Sequence, residues 1–134
     1  MALKITRAVL DGLIAHARDD APIECCGLLA GRGEVIDEFV RARNVRASEA
    51  AYEIDPRDHI AVRKSLRGRG LSVLGAYHSH PKSPAVASPT DAAEAHYDGD
   101  FLYVIVSLAE SPPDVRAYRL ERGTLIETNF ETLL

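Results

Sequence analysis

The stretch AYHSHPKSPAVASPTD, residues 76–91, runs from a strand pattern through a proline-rich loop into a helix start. Residues two apart in a strand point to the same face, so His78 and His80 can present their imidazoles side by side. A helix that begins after Ser88 can bring Asp91 back towards them as an oxygen ligand. Two histidines and one carboxylate leave a fourth tetrahedral position open, which is the arrangement of a catalytic rather than a structural zinc site.

The same residues also have a purely structural interpretation. Ser88, followed by proline and then Asp91, is a good helix start, and taken alone these two are more often capping than catalytic residues. An isolated His-x-His pattern in a strand is likewise more often a polar edge or a hydrogen-bonded pair. The metal hypothesis therefore depends on the combination of the strand pair with the helix start.

Outward from this stretch, helical and extended patterns alternate along the chain. A first helix is predicted from a cap at Thr6 to a point before Pro22. Its apolar face consists of Val9, Leu10, Leu13, Ile14 and Ala17. CCGLLAG then reads as a buried strand and EVIDEFVRA as a second strand, with a turn at Arg32 and Gly33 between them.

A second helix follows the extended segment YEIDP. Asp55 is its predicted N-cap, Pro56 its first residue and Asp58 a favourable charge near its positive end, with Gly68 or Gly70 as the stop. LSVLGAYHSH is apolar on both faces at first, which predicts a central strand. The chain is completed by a helix from about Ser88 to His96, the strand FLYVIVSL and two strands in DVRAYRLERGTLIETNF. Helices interleaved with strands predict an α/β fold in which helices pack on a sheet.

Composition narrows the classes of protein. The chain has 134 residues, 46% hydrophobic and 27% charged, and we expect a single domain over residues 1–134. A net charge of -4 gives no support to nucleic-acid binding, and we read the basic stretches RARNVR and RKSLRGRG as solvated faces. No apolar run approaches the ~20 residues needed to span a bilayer, and the N-terminus is amphipathic rather than a signal peptide.

The two cysteines, Cys25 and Cys26, are adjacent in the sequence. Neighbouring cysteines pair only through a strained ring, so we expect reduced thiols, which fit the cytoplasm. The predicted location is therefore cytoplasmic, with no membrane and no nucleic-acid partner.

The string His-Ser-His-Pro, followed by seven residues (81–87) after His80, then Ser88 and Asp91, resembles the signature of the JAMM (MPN-plus) metalloproteases. The segment ECCGLLAG resembles the Glu-x-Cys-Gly strand of that family, which makes Glu24 its upstream glutamate. YEIDP, HSHPKSPA and YVIVSL also resemble the small bacterial members, so the likeness covers nearly the whole chain. The fold implied is three-layer αβα with a curved mixed sheet, as in MPN domains and cytidine-deaminase-like proteins.

The resemblance implies roles for five residues. His78, His80 and Asp91 would bind Zn²⁺, and Glu24 would hold the water at the fourth position and act as the base. Ser88 would donate a hydrogen bond to the oxyanion of the reaction. Without the histidine cluster, Glu24 would instead be taken as a solvated glutamate in a helix-to-strand loop.

Other polar residues have weaker functional signals. Ser79 is expected to support the site or the strand, and Cys26 to pack as a small apolar residue. Cys25 could lie near the metal but ranks well below the other ligands. His16, His59 and His96 lack ligand spacing and are predicted at the surface or at helix ends. Tyr77 alternates with His78 and is predicted to pack on the opposite face.

Two departures from the family pattern bear on function. Many small bacterial members carry proline before the motif serine where this chain has Ala87, which predicts a less rigid loop. The segments after Glu24 and after Asp91 also lack the insertions by which the deubiquitinating branch grips ubiquitin, which disfavours specialised deubiquitination.

The branch most resembled includes peptidases that release cysteine from a ubiquitin-like sulfur-carrier protein ending in Gly-Gly. We therefore expect hydrolysis of the amide after that Gly-Gly, with the carrier as partner. The alternatives are a deubiquitinase-like isopeptidase and a non-catalytic MPN scaffold, although a scaffold usually lacks some ligands. A nucleoside deaminase would need His-x-Glu and Pro-Cys-x-x-Cys motifs, and the sequence has neither. The oligomeric state, a homodimer included, is left open.

Overall fold

The structure is a computed structural model that describes residues 3–134, so the first two residues of the domain expected over 1–134 lie outside it. In chain order its elements are β1 (Lys4–Thr6), α1 (Arg7–Asp20), β2 (Cys26–Arg32), β3 (Val35–Ala42), α2 (Pro56–Gly68), β4 (Ser72–His80), α3 (Pro89–Glu94), β5 (Leu102–Ser107), β6 (Asp114–Glu121), β7 (Thr124–Thr128) and β8 (Glu131–Leu133).

All the strands belong to one eight-stranded mixed sheet, in the order β7-β6-β5-β4-β2-β3-β1-β8. β4 pairs antiparallel with β2 and parallel with β5, so its backbone is bonded on both sides. β1 is parallel to both β3 and β8, and the remaining pairs are antiparallel. The central position predicted for the histidine-bearing strand is confirmed.

Neighbouring residues of β2 face the two opposite helical layers. Leu29 packs in the core beneath α1, together with Leu13. Leu28 belongs to the core on the other face, and Leu66 of α2 packs there against Ala30. The alternation follows from the period of two in a strand, and it confirms the predicted three-layer αβα arrangement.

Helix α1 begins and ends where the sequence predicts. The Thr6 hydroxyl oxygen accepts a hydrogen bond from the backbone N–H of Val9 at 3.2 Å and caps the helix. Val9, Leu10, Leu13 and Ala17 are buried. A cap is worth ~1 kcal/mol, whereas burying one leucine side chain gives ~2 kcal/mol, so the packed face contributes most of the helix stability.

Helix α3 is shorter than the predicted helix from Ser88 to His96. It ends at Glu94, because the next N–H groups that would continue the ladder bond elsewhere. The Tyr103 hydroxyl oxygen accepts from the backbone N–H of His96 at 3.0 Å and of Tyr97 at 2.9 Å. Within residues 3–134, none of the helices combines the length and apolar character needed to cross a membrane.

The prediction for His16 at the surface or a helix end is wrong, because this side chain is buried against the sheet with 3% exposure. Its Nδ1 lies 2.7 Å from the Tyr77 hydroxyl and its Nε2 lies 3.1 Å from a carboxylate oxygen of Asp20. Burial lowers the pKa of His16, against the opposing effect of Asp20. Tyr77 packs beneath α1, which confirms its predicted place on the face opposite His78.

Candidate metal centre

The C-terminal end of β4 places two imidazoles on one face of the sheet. His78 pairs with Cys26 of β2 and with Ile105 of β5, and His80 pairs with Ser107. Both side chains are almost fully buried, and their Nε2 atoms lie 3.3 Å apart. The strand alternation thus brings the two histidines together as the sequence predicts.

Asp91 joins the histidines from the first turn of α3. Its Oδ1 lies 3.0 Å from Nε2 of His78, and its Oδ2 lies 3.0 Å from Nε2 of His80. Ser88 and Asp91 also form a capping box, in which the Ser88 hydroxyl accepts from the Asp91 N–H and the Ser88 N–H donates to Asp91 Oδ2. The capping interpretation of these residues is confirmed, and the cap also orients the Asp91 carboxylate towards the two histidines.

The three donors fit a transition-metal ion. Their ligand atoms all lie within 4.8 Å of one another in the described part of the chain, and the donors are buried. Ligands of a tetrahedral zinc ion at ~2.0–2.1 Å would be ~3.3 Å apart, close to the separations of 3.0–3.3 Å seen here. His80 Nδ1 lies 2.7 Å from the Pro84 carbonyl, so it donates its proton there and leaves Nε2 free as a ligand.

Burial and mutual contact shift the titration of all three side chains. Burial lowers the pKa of His78 despite its contact with Asp91. Burial also opposes protonation of His80, but hydrogen bonds to Asp91 and Pro84 outweigh it and raise the pKa. For Asp91, burial favours the neutral acid, whereas hydrogen bonds from the two histidines lower the pKa well below the usual range. The carboxylate is thus held ionised, as a metal ligand must be.

Glu24 lies outside this group of mutually close donor atoms, but the charges of His80 and Asp91 act on its carboxyl. It is 3% exposed, and within residues 3–134 its Oε1 is a buried side-chain oxygen without a hydrogen-bond partner. Burial raises its pKa to about 7, with the charges of His80 and Asp91 acting in opposite directions. A buried carboxylate oxygen with an unused acceptor site is what a water or ion next to a metal would satisfy.

Three side chains hold the loop between β4 and α3 by its backbone. The carbonyl of residue 83 accepts from Ser107 Oγ at 2.6 Å, and the carbonyl of residue 84 accepts from His80 Nδ1 at 2.7 Å. The carbonyl of residue 85 accepts from Tyr118 Oη at 2.5 Å. The three donor side chains belong to β5, β4 and β6, and their bonds fix the course of the loop that leads to Ser88. The loop is therefore anchored at three consecutive carbonyls before Ala87.

Ser79 supports the strand pairing, as predicted. Its hydroxyl accepts from the Cys25 backbone N–H at 2.8 Å, and its own N–H donates to the Cys25 carbonyl at 3.1 Å. These bonds extend the β2–β4 ladder to the residue next to Glu24. Cys25 and Cys26 are free and buried, and burial raises the pKa of each thiol to about 12. Cys25 packs in the core beneath α1 and is not among the close metal donors.

The sequence did not reveal the role of Tyr52. Its buried ring stacks on the imidazole of His78, with centroids 4.2 Å apart and planes at 16°. Behind it lies a cavity of about 400 Å³, with Leu28 and Ala76 from the sheet and Tyr97 and Tyr103 among its lining residues. Ala76 precedes His78 by two residues, so this largely apolar cavity lies beside His78 on the same face of β4.

The other histidines take no part in the donor group. His59 is half-buried in α2, where its Nε2 accepts from Arg63 Nε at 2.9 Å, and it lines the cavity. His96 is exposed after α3 and also lines the cavity. Both observations agree with the prediction that they lack ligand geometry.

Residues 6–121 match the family model described as prokaryotic homologues of the JAB domain. A protein of Thermus thermophilus named a probable TtuB-protein conjugate cleaving protease is 42% identical over 124 residues, 92% of this chain and 79% of the relative. A desampylase of Haloferax volcanii is 34% identical over 112 residues, 78% of this chain and 80% of the relative. A CysO-cysteine peptidase of Mycobacterium tuberculosis is 30% identical over 128 residues, 93% of this chain and 87% of the relative.

Solved structures share the fold of this chain. A protein of Desulfitobacterium hafniense superposes with a TM-score of 0.89 at 30% identity, over 98% of this chain and 92% of that one. A JAB1/MPN domain protein of Archaeoglobus fulgidus superposes with a TM-score of 0.68 at 21% identity, covering 99% of this chain and 98% of that one, which shows likeness of fold.

Proposed function

The chain belongs to the JAMM (JAB1/MPN) family in its prokaryotic branch, and from this premise we propose that it is a zinc-dependent peptidase that hydrolyses the amide after the C-terminal Gly-Gly of a ubiquitin-like sulfur-carrier protein. The observation that carries the proposal is the buried group of His78, His80 and Asp91 with the unpartnered carboxylate oxygen of Glu24, on whose carboxyl the charges of His80 and Asp91 act.

Zinc is the proposed metal because two imidazoles and one carboxylate form the ligand set of catalytic zinc sites. Softer sites use thiolates, but the two thiols of this chain are buried and protonated. A bound zinc ion would polarise the substrate carbonyl and lower the pKa of water to ~7. We assign the ion to Nε2 of each histidine and to the carboxylate of Asp91.

Glu24 is proposed as the general base. Its carboxyl, with a pKa raised to about 7 by burial, is suited to accept a proton near neutral pH and to return it to the leaving amine. The unpartnered Oε1 is the atom that would hold the proton.

Ser88 is proposed as the donor to the oxyanion. Its hydroxyl oxygen accepts from the Asp91 N–H at 3.0 Å, which leaves the hydroxyl proton available for the substrate. A single donor of this kind is typically worth ~3 kcal/mol in the transition state. The capping bond therefore positions the serine without using up its catalytic proton.

The substrate proposal rests on two features. The relatives are named for cleaving a TtuB-protein conjugate and a CysO-cysteine linkage, which are bonds to a protein carrier. The chain also lacks the insertions that grip ubiquitin in the deubiquitinating branch. A Gly-Gly tail offers no side chain for recognition, so it would bind extended and be held by its backbone. The reduced cysteines fit a reaction in the cytoplasm.

A second candidate is an isopeptidase acting on carriers joined to lysine. It is favoured by the 42% identity to a protein named for protein conjugates and the 34% identity to a desampylase. A non-catalytic scaffold is disfavoured, because the chain keeps all three metal donors together with Glu24 and Ser88.

The test is intact-mass analysis of two substrates incubated with the zinc-loaded protein. One is a Gly-Gly-ended carrier with one extra C-terminal cysteine, and the other is the same carrier joined to a lysine side chain. Release of cysteine that is abolished by chelator and lowered by orders of magnitude in Glu24→Gln is the expected result. Cleavage of the lysine conjugate alone would favour the second candidate, and cleavage of neither would refute both.

A further inference from the structure

Hydrogen bonds hold the backbone on both sides of Glu24, whereas its side chain is less constrained. Its Oε1 has no hydrogen-bond partner in residues 3–134, so no such bond orients that oxygen. The backbone on either side of its Cα is bonded instead: the Glu24 N–H donates to the Ser48 carbonyl at 2.9 Å, and the Glu24 carbonyl accepts from Nδ2 of Asn44 at 3.0 Å. These two bonds fix the backbone from which the Glu24 side chain extends.

Asn44 joins Glu24 to the loop that follows β3. Its Nδ2 also donates to the Ala51 carbonyl at 3.1 Å. Its Oδ1 accepts from the backbone N–H groups of Arg46 and Glu53, each at 3.0 Å. This amide orientation gives both nitrogen protons an acceptor and both oxygen lone pairs a donor, which the flipped orientation would not.

The loop held by Asn44 carries further parts of the site. Ser48, which accepts from Glu24, and Tyr52, which stacks on His78, both lie between the residues that Asn44 bonds. Asn44 itself forms a backbone bridge with Ile54, so it closes the loop at its base. One side chain thus connects the backbone of Glu24 to the segment that covers His78.

We propose that Asn44 is a positioning residue for the reaction, which sets the Glu24 carboxylate through the Glu24 carbonyl and through the loop that bonds the Glu24 N–H. The proposal rests on the assignment of Glu24 as the base in the proposed function. A misplacement of ~1 Å in a catalytic group can lower the rate ~100-fold, so loss of these bonds acts on turnover rather than on binding.

The main test is the variant Asn44→Asp, which keeps the acceptor for the two loop N–H groups and removes both donors. Asn44→Ala removes all four bonds without adding a charge. We expect each to lower kcat ~10- to 100-fold with KM changed by no more than ~3-fold. Asn129→Asp is the matched control, because it makes the same amide-to-carboxylate change at an exposed residue between β7 and β8. Zinc stoichiometry and the melting temperature are measured for every variant.

Double-mutant cycles separate positioning from a general structural role. If Asn44 acts through Glu24, adding Asn44→Asp to Glu24→Gln lowers the residual rate by no more than ~2-fold. When Asn44→Asp is added to Ser88→Ala, it lowers the rate by the same ~10- to 100-fold as in the wild type, because Ser88 is held separately by its capping box. An equal loss on both backgrounds, or a lower melting temperature with unchanged kcat, would overturn the proposal.

The pKa of Glu24 can be measured without any turnover of substrate, and it reports directly on how Asn44 holds this residue. In carboxyl ¹³C NMR titrations, Asn44→Ala should lower the pKa of Glu24 by ~1 unit, because a loosened carboxylate gains water, whereas the control Asn129→Asp should not change it. An unchanged Glu24 pKa in Asn44→Ala contradicts the role of Asn44. If instead the wild-type protein cleaves no carrier but the shift is observed, the proposed function fails, whereas the control of the Glu24 carboxylate by Asn44 is supported.

Discussion

Replacing Glu24 by glutamine should stabilise the metal-free protein at neutral and basic pH while leaving only a small residual activity. Burial raises the Glu24 pKa from 4.5 to about 7, so the folded state retains a proton that the unfolded chain releases. Stability of the wild-type protein therefore falls as pH rises between these two values. The difference is about 2.5 units, and at ~1.4 kcal/mol per unit the buried charge costs ~3 kcal/mol above pH 7.

The assay is urea unfolding of chelator-treated wild type and Glu24→Gln at pH 4 and pH 8. We expect a gain of ~2–3 kcal/mol for the variant at pH 8 and a much smaller one at pH 4, where both states of the wild type are largely protonated. Glu110→Gln is the control, because Glu110 is exposed and its replacement should give no pH-dependent gain. Equal stability of Glu24→Gln and wild type at pH 8 would refute the account of a desolvated carboxylate.

Three further changes test the centre and the core. Asp91→Asn should weaken zinc binding ~100-fold or more in a chelator competition assay, because it removes the charged ligand; unchanged affinity would contradict the site. Tyr118→Phe keeps the ring but loses the bond to the Ala85 carbonyl, which should cost ~1–2 kcal/mol in urea unfolding and lower kcat several-fold. Leu29→Ala should cost ~3 kcal/mol in the same assay, since Leu29 is fully buried, whereas Ile60→Ala, at a side chain 63% exposed, should cost little.

Local chemistry made most of the fold predictable. Thr6 and Asp55 have the side chains that cap helices, and both accept the expected backbone bonds. The period of two in β4 correctly separated His78 and His80 from Tyr77. These features depend on neighbours in the sequence, so a single chain contains the information needed to infer them.

The sequence was less informative wherever distant residues decide the local structure. The early end of α3 depends on the hydroxyl of Tyr103, and the three-residue strands β1 and β8 depend on pairing with each other across the chain. His16 lies three residues after Leu13 and so shares the apolar face of α1, a spacing that could have predicted its burial. Its hydrogen bond to Tyr77 joins residues 61 positions apart, which no local pattern encodes.

The candidate site likewise combines residues that a local sequence pattern reveals with residues that only the fold brings near them. The spacing of the histidines, Ser88 and Asp91 is contained in one short stretch, and the structure brings these residues together. The contacts that support them come from elsewhere: Tyr118 from β6, Tyr52 from the loop after β3, and Asn44 beside Glu24. Tyrosine and asparagine side chains of this kind are common in cores and loops, so their types alone gave no signal.

The cavity behind Tyr52 has a consequence for inhibitor design. Compounds aimed at metal-dependent peptidases commonly rely on a chelating group, which binds many unrelated enzymes. Here about 400 Å³ of largely apolar space opens beside His78, lined by aromatic rings that include Tyr97 and Tyr103. A compound that fills this space with an aromatic group would gain affinity from shape and burial. It could then carry a weak chelator, and its selectivity would come from the residues that line the cavity beside His78.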